Sequence, residues 1–151
     1  MGITYARKQG LCDQLEAIAD SLPHRVDRLE CLRVANVLLP VLRESHRYEE
    51  EVLFPAFERG AMSPAAGGET VRRLKSEHVC DECAAEEITE QLMWIGMGGE
   101  IANPEALGFM LRAFFGPVRR HIAFERDHLI PAAGTARDDG QRHPVQIRSL
   151  P

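Results

Sequence analysis

The sequence lacks several features that would point to common classes of protein. It has no apolar run of the roughly eighteen residues that a transmembrane helix needs. Residues 1–10 do not combine a basic start with an apolar stretch, as a secretion signal would. Lysine and arginine are interspersed with acidic residues at a formal net charge of -5, so no basic cluster is available for a phosphate backbone. These absences predict a cytosolic protein that binds neither nucleic acid nor a membrane.

The sequence has no secretion signal that would favour disulfides, and its four cysteines (Cys12, Cys31, Cys80 and Cys83) are predicted to be reduced thiols. Cys80 and Cys83 form a C-x-x-C motif, which in redox enzymes follows a strand and opens a helix. Here the motif lies in the middle of a predicted helix. Two cysteines flanking the core are therefore the favoured interpretation, and dithiol chemistry or zinc binding together with His78 are the alternatives.

Apolar residues recur at steps of three and four along most of the chain, and no segment of clean alternation appears, which predicts an all-α protein. The four predicted helices run from about Ile3 to Leu22, Val26 to Arg59, Glu69 to Ile95 and Pro104 to Ile130. We expect Pro40 to bend the second helix, Gly60–Gly68 to form a loop and Asn103 to cap the fourth helix. The short connections favour an up-down-up-down four-helix bundle over residues 1–132, followed by a flexible C-terminal tail, 133–151.

Histidine and carboxylate residues interrupt the apolar stripe of three helices at one common spacing. The pairs are His46 with Glu50, His78 with Glu82, and His121 with Glu125. A bundle buries this stripe, where polar groups without partners are costly. Residues four apart lie on one helical face, so each pair can direct an imidazole nitrogen and a carboxylate oxygen to one point. Counting from the predicted turns places all three pairs at one level of the bundle.

Imidazole and carboxylate ligands suit iron, manganese or zinc, and a cation would compensate buried carboxylates. The shared position of the pairs therefore predicts a metal site rather than three solvated ion pairs. Asp81 is an alternative inward carboxylate beside Glu82. Ferritin-type di-iron bundles need two Glu-x-x-His motifs, whereas only Glu125 with His128 has that spacing, which disfavours a ferroxidase of that class. His128 is interpreted mainly as a residue at the bundle end, and His24 as an exposed one.

The segments His46–Pro55 and His121–Pro131 resemble the two H-x-x-x-E segments, each leading to an L-F-P-type sequence, of hemerythrin-like (HHE cation-binding) domains. The segment around His78 is similar to the third helix of that family, and the resemblance covers roughly residues 5–132. It implies a non-haem di-iron site with these ligands: His46, Glu50, His78, His121 and Glu125. Glu82 lies where hemerythrins carry a second histidine on this helix, and it completes the predicted set.

The sequence departs from the family pattern in its first helix. The family usually supplies a histidine there, whereas this helix has none, and Tyr5 or Gln9 lies near the expected position. Two irons are the expected content, with a single iron or another divalent metal as alternatives.

The predicted function is a metal-binding module whose iron binds or senses O2, NO or the iron supply, because open coordination positions can take a small ligand. One alternative is an enzyme that turns over peroxide or donates iron for the repair of damaged clusters. Its acid or base groups would be Asp81, His128 or Tyr48. Another alternative is a metal-free helical interaction domain.

Overall fold

The structure is a computed structural model that describes residues 2–61 and 63–134, and these residues form four long helices without a strand. Helix α1 is Gly2–Ser21, and helix α3 is Pro64–Gly96. Two helices each contain a π-helical turn. Helix α2 comprises Arg28–Tyr48, the π turn Glu49–Leu53 and Phe54–Gly60. Helix α4 comprises Pro104–Phe124, the π turn Glu125–Leu129 and the helical residues 130–134.

The four helices pack as the predicted bundle. Helix α1 lies against α2 and α4, and α2 lies against α3, which also contacts α4. The predicted all-α fold, a four-helix bundle, is therefore confirmed. Within the described part of the chain, no helix is both long enough and apolar enough to cross a membrane.

Side-chain caps fix the beginnings of two helices. The carboxylate of Asp27 accepts hydrogen bonds from the backbone N–H groups of Leu29 and Glu30 at the start of α2. The side chain of Asn103 accepts one from Ala106 N–H at 3.0 Å, so the predicted cap of α4 is confirmed. Such caps satisfy backbone donors that have no partner within the helix.

The predicted loop Gly60–Gly68 is mostly wrong, because α3 already begins at Pro64. Proline suits the first turn of a helix, where its missing N–H would have no partner in any case. Gly67 is buried inside this first turn, and a Cβ atom on it would lie 2.9 Å from Ala61 Cβ. The glycine thus serves the close approach of α2 to α3 rather than a flexible connection.

Two further expectations concern helix continuity and the C-terminus. Helix α2 continues through Pro40, which is exposed. Helix α4 extends to residue 134 rather than ending near Ile130. Residues 135–151 of the predicted tail, with His143, lie outside the described residues.

The apolar core is divided by a layer of polar side chains. A large cluster contains Leu42 of α2, Ala85 of α3 and Val118 of α4. A smaller cluster at the other end contains Leu53, Phe54, Val71, Leu74, Leu129 and Ala133. Between them along the helices lie the buried polar residues Ser45, His46, Glu49, His78, His121 and Glu125. The three histidines thus lie at one level of the bundle, as predicted, in a buried polar layer between two apolar clusters.

Candidate metal centre

Four buried residues from three helices converge within the polar layer. They are Glu49 of α2, His78 of α3, and His121 and Glu125 of α4. Each can offer one nitrogen or oxygen atom, and these atoms all lie within 4.8 Å of one another. We call this group the central cluster. Its donor atoms are of the types that iron, manganese and zinc prefer.

One oxygen of Glu49 faces both histidines of the central cluster. Glu49 Oε2 lies 2.7 Å from His78 Nε2 and 3.6 Å from His121 Nε2. His121 Nε2 also contacts Glu125 Oε1 at 2.5 Å. The two carboxylates are 0% exposed, so both have been removed from water.

Three atoms of the central cluster are buried without a hydrogen-bond partner. They are Glu49 Oε2, His78 Nε2 and Glu125 Oε2. The distance between Glu49 Oε2 and His78 Nε2 is short, but its geometry is not that of a hydrogen bond. Native proteins seldom leave buried polar atoms unpaired. Three such atoms at one place fit a cation that coordinates them.

The Nδ1 atom of each histidine in the layer contacts a carboxylate. The Nδ1 atom of His78 lies 2.7 Å from Glu50 Oε1, and that of His46 lies 2.8 Å from Glu82 Oε1. The Nδ1 atom of His121 lies 3.2 Å from Glu77 Oε2. In each contact the ring N–H donates and the carboxylate accepts. Carboxylates in this position fix the orientation of an imidazole and direct the lone pair of Nε2 toward a metal.

The other oxygen of Glu49 is occupied by two buried donors. Lys8 Nζ of α1 and Ser45 Oγ each lie 2.6 Å from Glu49 Oε1. Lys8 is 3% exposed and Ser45 is 1% exposed, so neither side chain is solvated. The lysine on the first helix therefore reaches the same carboxylate that faces the histidines.

The charges of the layer shift the pKa values of its members. Burial alone raises the pKa of Glu49, but the close contacts with His121 and His78 and the charge of Lys8 outweigh it and hold the pKa below its ordinary value. Burial lowers the pKa of His121, yet the contacts with Glu125 and Glu49 raise it to about 10. Burial raises the pKa of Glu125. Without a metal ion, His121 and Glu125 therefore retain a proton between them at neutral pH.

Two neighbours of the central cluster are kept uncharged. Burial, together with the nearby charge of His78, lowers the pKa of His46 to about 4. The ring of His46 stacks on that of His78 with 3.8 Å between centroids. Burial and the charge of Glu125 raise the pKa of Tyr5 on α1, whose hydroxyl is buried without a hydrogen-bond partner. Tyr5 thus brings the first helix next to the Glu125 carboxylate.

Both π turns begin at a glutamate of the central cluster. One turn starts at Glu49 and the other at Glu125. A π turn contains one residue more than the corresponding α-helical turn and often marks a functional site. Each turn ends at a buried leucine of the smaller apolar cluster, Leu53 or Leu129.

The structure brings three of the six predicted site residues into the central cluster, namely His78, His121 and Glu125. Of the other three, His46 belongs to the polar layer outside the central cluster, and the two glutamates contact the layer from its edge. Glu50 and Glu82 bind the Nδ1 atoms of His78 and His46. The assignment of metal ligands among these residues stays a prediction. Glu49 and Lys8 were not selected from the sequence.

A sequence signal for Glu49 exists in its distance from the next proline. Glu49 precedes Pro55 by six residues, and Glu125 precedes Pro131 by six. Counting back from the prolines therefore matches Glu49, and not Glu50, with Glu125.

The remaining candidates are not members of the central cluster. His24 is exposed, and so is His128, whose ring packs against Phe124 at 4.9 Å. Tyr48 packs against the smaller apolar cluster. Asp81 is half-buried, and burial raises its pKa.

All four cysteines are free thiols. Cys12 and Cys31 are buried, whereas Cys80 and Cys83 are exposed on α3. The expectation that Cys80 and Cys83 flank the core is therefore wrong.

A four-helix bundle with a buried layer of histidines and carboxylates defines a class of cation-binding helical proteins. In agreement, residues 7–133 match the family model described as the hemerythrin HHE cation binding domain. The match spans most of the chain, and the protein belongs to this family. Comparisons with curated proteins and with solved structures found no match.

Proposed function

We propose that the protein binds iron in the central cluster and that the bound iron binds or senses a small ligand such as O2 or NO. The observation that carries the proposal is the group of three buried, unpaired atoms on Glu49, His78 and Glu125. Buried polar atoms without partners destabilise a fold unless something compensates them. A cation would do so for all three at once.

The donor set supports iron among the possible cations. Two imidazoles and two carboxylates suit iron, and membership of a cation-binding family supports the same choice. His78, His121, Glu49 and Glu125 would hold the ion. When bound, iron would supply open coordination positions and a change of oxidation state, to which a diatomic ligand responds.

The surrounding residues of the chain orient the donors and exclude water. The ring of His78 is sandwiched between His46, at 3.8 Å, and Phe54, at 5.4 Å between centroids. Apolar residues cover the layer on both sides, including Leu42 and Leu53 on α2. This shell admits small uncharged molecules more readily than ions, because charged groups lose much hydration free energy in an apolar interior.

Metal analysis of the purified protein tests the first half of the proposal. We expect the wild-type protein to retain iron after desalting and His78→Ala to lose most of it, because the variant removes a central donor. His128→Ala is the matched control, since it removes an exposed histidine outside the central cluster. A folded wild-type protein that takes up no metal, or a His78→Ala variant with unchanged iron, would contradict the proposal.

Spectroscopy of the iron-loaded protein tests the second half. After reduction, we expect addition of O2 or NO to change the absorption spectrum, and removal of the gas to reverse the change. Multiple-turnover loss of peroxide without reversible gas binding would instead favour the enzymatic alternative. An unchanged spectrum with either gas would contradict a role in binding or sensing these ligands.

A further inference from the structure

The two oxygens of Glu49 lie in different surroundings. Oε2 faces His78 and His121 in the central cluster and has no hydrogen-bond partner. Oε1 instead accepts hydrogen bonds from Lys8 Nζ and Ser45 Oγ, each at 2.6 Å. One side of the carboxylate is thus open to a cation, and the other is already satisfied by donors of the chain itself.

Helices α2 and α4 can be compared residue by residue, because each contains a π turn of the same length. Glu49 matches Glu125, and both turns end in leucine and lead to a proline. In the same register Ser45 matches His121. Ser45 contacts Glu49 four residues later, as His121 contacts Glu125. Helix α2 therefore presents a hydroxyl at the position where α4 presents an imidazole.

Helix α1 places the ammonium group of Lys8, and not a metal ligand, against Glu49. Lys8 is 3% exposed, and within the described residues its ammonium group forms an ion pair with Glu49 alone. An ammonium group has no lone pair and cannot coordinate a metal ion. It also repels a second cation placed on the same carboxylate oxygen, and that repulsion is strong in a dry interior.

From these contacts we infer that the centre holds one metal ion, and that Lys8, supported by Ser45, supplies the positive charge that a second ion would otherwise bring to Glu49. The inference rests on the proposed iron binding and specifies its stoichiometry. It assigns Lys8 and Ser45 as positioning residues, which act through Glu49 and do not themselves contact the metal.

Iron analysis combined with electron paramagnetic resonance tests the inference on the full chain. We expect one iron per chain after loading with excess iron(II) and, after oxidation, the half-integer-spin signal of an isolated high-spin iron(III). Two irons per chain with a coupled, silent diferric state would overturn the inference and leave the proposed iron binding intact. A protein that binds no iron would instead refute the proposed function, and the inference with it.

A gain-of-site variant provides the second measurement. Lys8→His combined with Ser45→His removes the ammonium group and places imidazoles on the Oε1 side of Glu49. We expect its iron content to rise from one to two per chain and the isolated iron(III) signal to disappear. The matched control, Lys75→His combined with Ser76→His, changes the same residue types at exposed positions of α3 and should keep one iron. A folded Lys8→His, Ser45→His variant that still holds one iron would contradict the role of these residues.

Discussion

His121 and Glu125 share a proton in the absence of metal, and this proton links the site to pH. The imidazole contacts Glu125 and Glu49 in a nearly dry layer, and its pKa is raised to about 10. A metal ion coordinated by Nε2 would have to displace that proton. Metal binding should therefore release protons and become stronger as the pH rises, as is general for histidine sites.

The same residue predicts how the stability of the metal-free protein depends on pH. The pKa of His121 is raised on folding, so its contribution is fully present below its ordinary pKa and is lost as pH rises toward about 10. Between about pH 7 and about pH 9, we expect the free energy of unfolding to fall by at most about 1.4 kcal/mol per pH unit from this proton. Urea titrations of the protein in chelator would measure it.

Two variants separate His121 from other titrating groups. His121→Gln should flatten the decline with pH, whereas His128→Gln, which changes an exposed histidine of the same helix, should leave it unchanged. A wild-type protein whose stability is constant over this range would show that His121 is not protonated in the folded, metal-free state.

At the residue scale, the sequence predicts the histidines better than their carboxylate partners. His78, His121 and Glu125 could be selected because imidazole and carboxylate on an apolar stripe are conspicuous. Glu49 stands beside Glu50, and the phase of a regular helix does not reveal the π turn that begins there. Lys8 could not be selected, since lysine on a helix is ordinarily solvated and only tertiary packing buries it.

At the element scale, the two π turns place a glutamate from each of two helices in the same layer. Each turn begins with a buried glutamate of the layer and ends with a buried leucine. Glu49 and Leu53, at the two ends of one turn, both face the interior. The turn thereby joins the polar layer to the smaller apolar cluster without exposing either.

The α2–α3 turn offers a test of local packing, because it contains adjacent glycines with different surroundings. A Cβ atom on Gly67 would lie 2.9 Å from Ala61 Cβ, whereas one on Gly68 would meet nothing within 4 Å. We expect Gly67→Ala to lower the free energy of unfolding by about 1–3 kcal/mol, since the short connection has to shift. Gly68→Ala should raise it by up to about 1 kcal/mol, because alanine favours a helix.

Chemical denaturation of the two alanine variants beside the wild type would measure both effects. Equal changes in the two would mean that the close contact at Gly67 does not constrain the turn. Both glycines belong to α3, so differences in helix propensity cancel in the comparison.

Element boundaries followed from sequence where a residue acts locally. Asn103 and Pro104 mark the start of α4 because capping depends on neighbouring residues alone. The start of α3 could not be predicted in the same way. Gly67 resembles a loop residue in sequence, and only its contact with Ala61 explains why a helix keeps it.

At the scale of the whole molecule, the polar layer makes bundle stability depend on what occupies it. The two apolar clusters can pack without metal, but the carboxylates between them remain only partly compensated. A ligand that binds only the folded chain stabilises it by mass action. Folding and metal binding are therefore expected to be coupled.

Metal removal should lower the melting temperature of the wild-type protein. At iron concentrations about 100-fold above the dissociation constant, linkage gives roughly 2.7 kcal/mol, or about 5–10 °C for a domain of this size. Thermal melts in chelator, and again after iron is restored under reducing conditions, would measure the shift. His78→Ala should melt at the same temperature with and without iron. A wild-type protein that retains iron but melts identically after its removal would refute the coupling.

The molecule's architecture could be predicted as a whole because helical periodicity and short connections leave few ways to bury four apolar stripes. The site was predictable as a layer for the same reason, since antiparallel helices bring His46, His78 and His121 to one height. The sequence could not predict that the two oxygens of Glu49 contact different sets of partners. The contact of Lys8 with Glu49 depends on which face of α1 packs against α2.

The three carboxylates around the layer also connect the buried imidazoles with the protein surface. Glu50, Glu77 and Glu82 are 38%, 47% and 31% exposed, and each contacts the outer nitrogen of one imidazole. An imidazole can accept a proton on one nitrogen while releasing one from the other. We therefore expect protons to pass between the buried layer and the solvent through these rings. Charge can be exchanged with solvent through them while the helices stay closed.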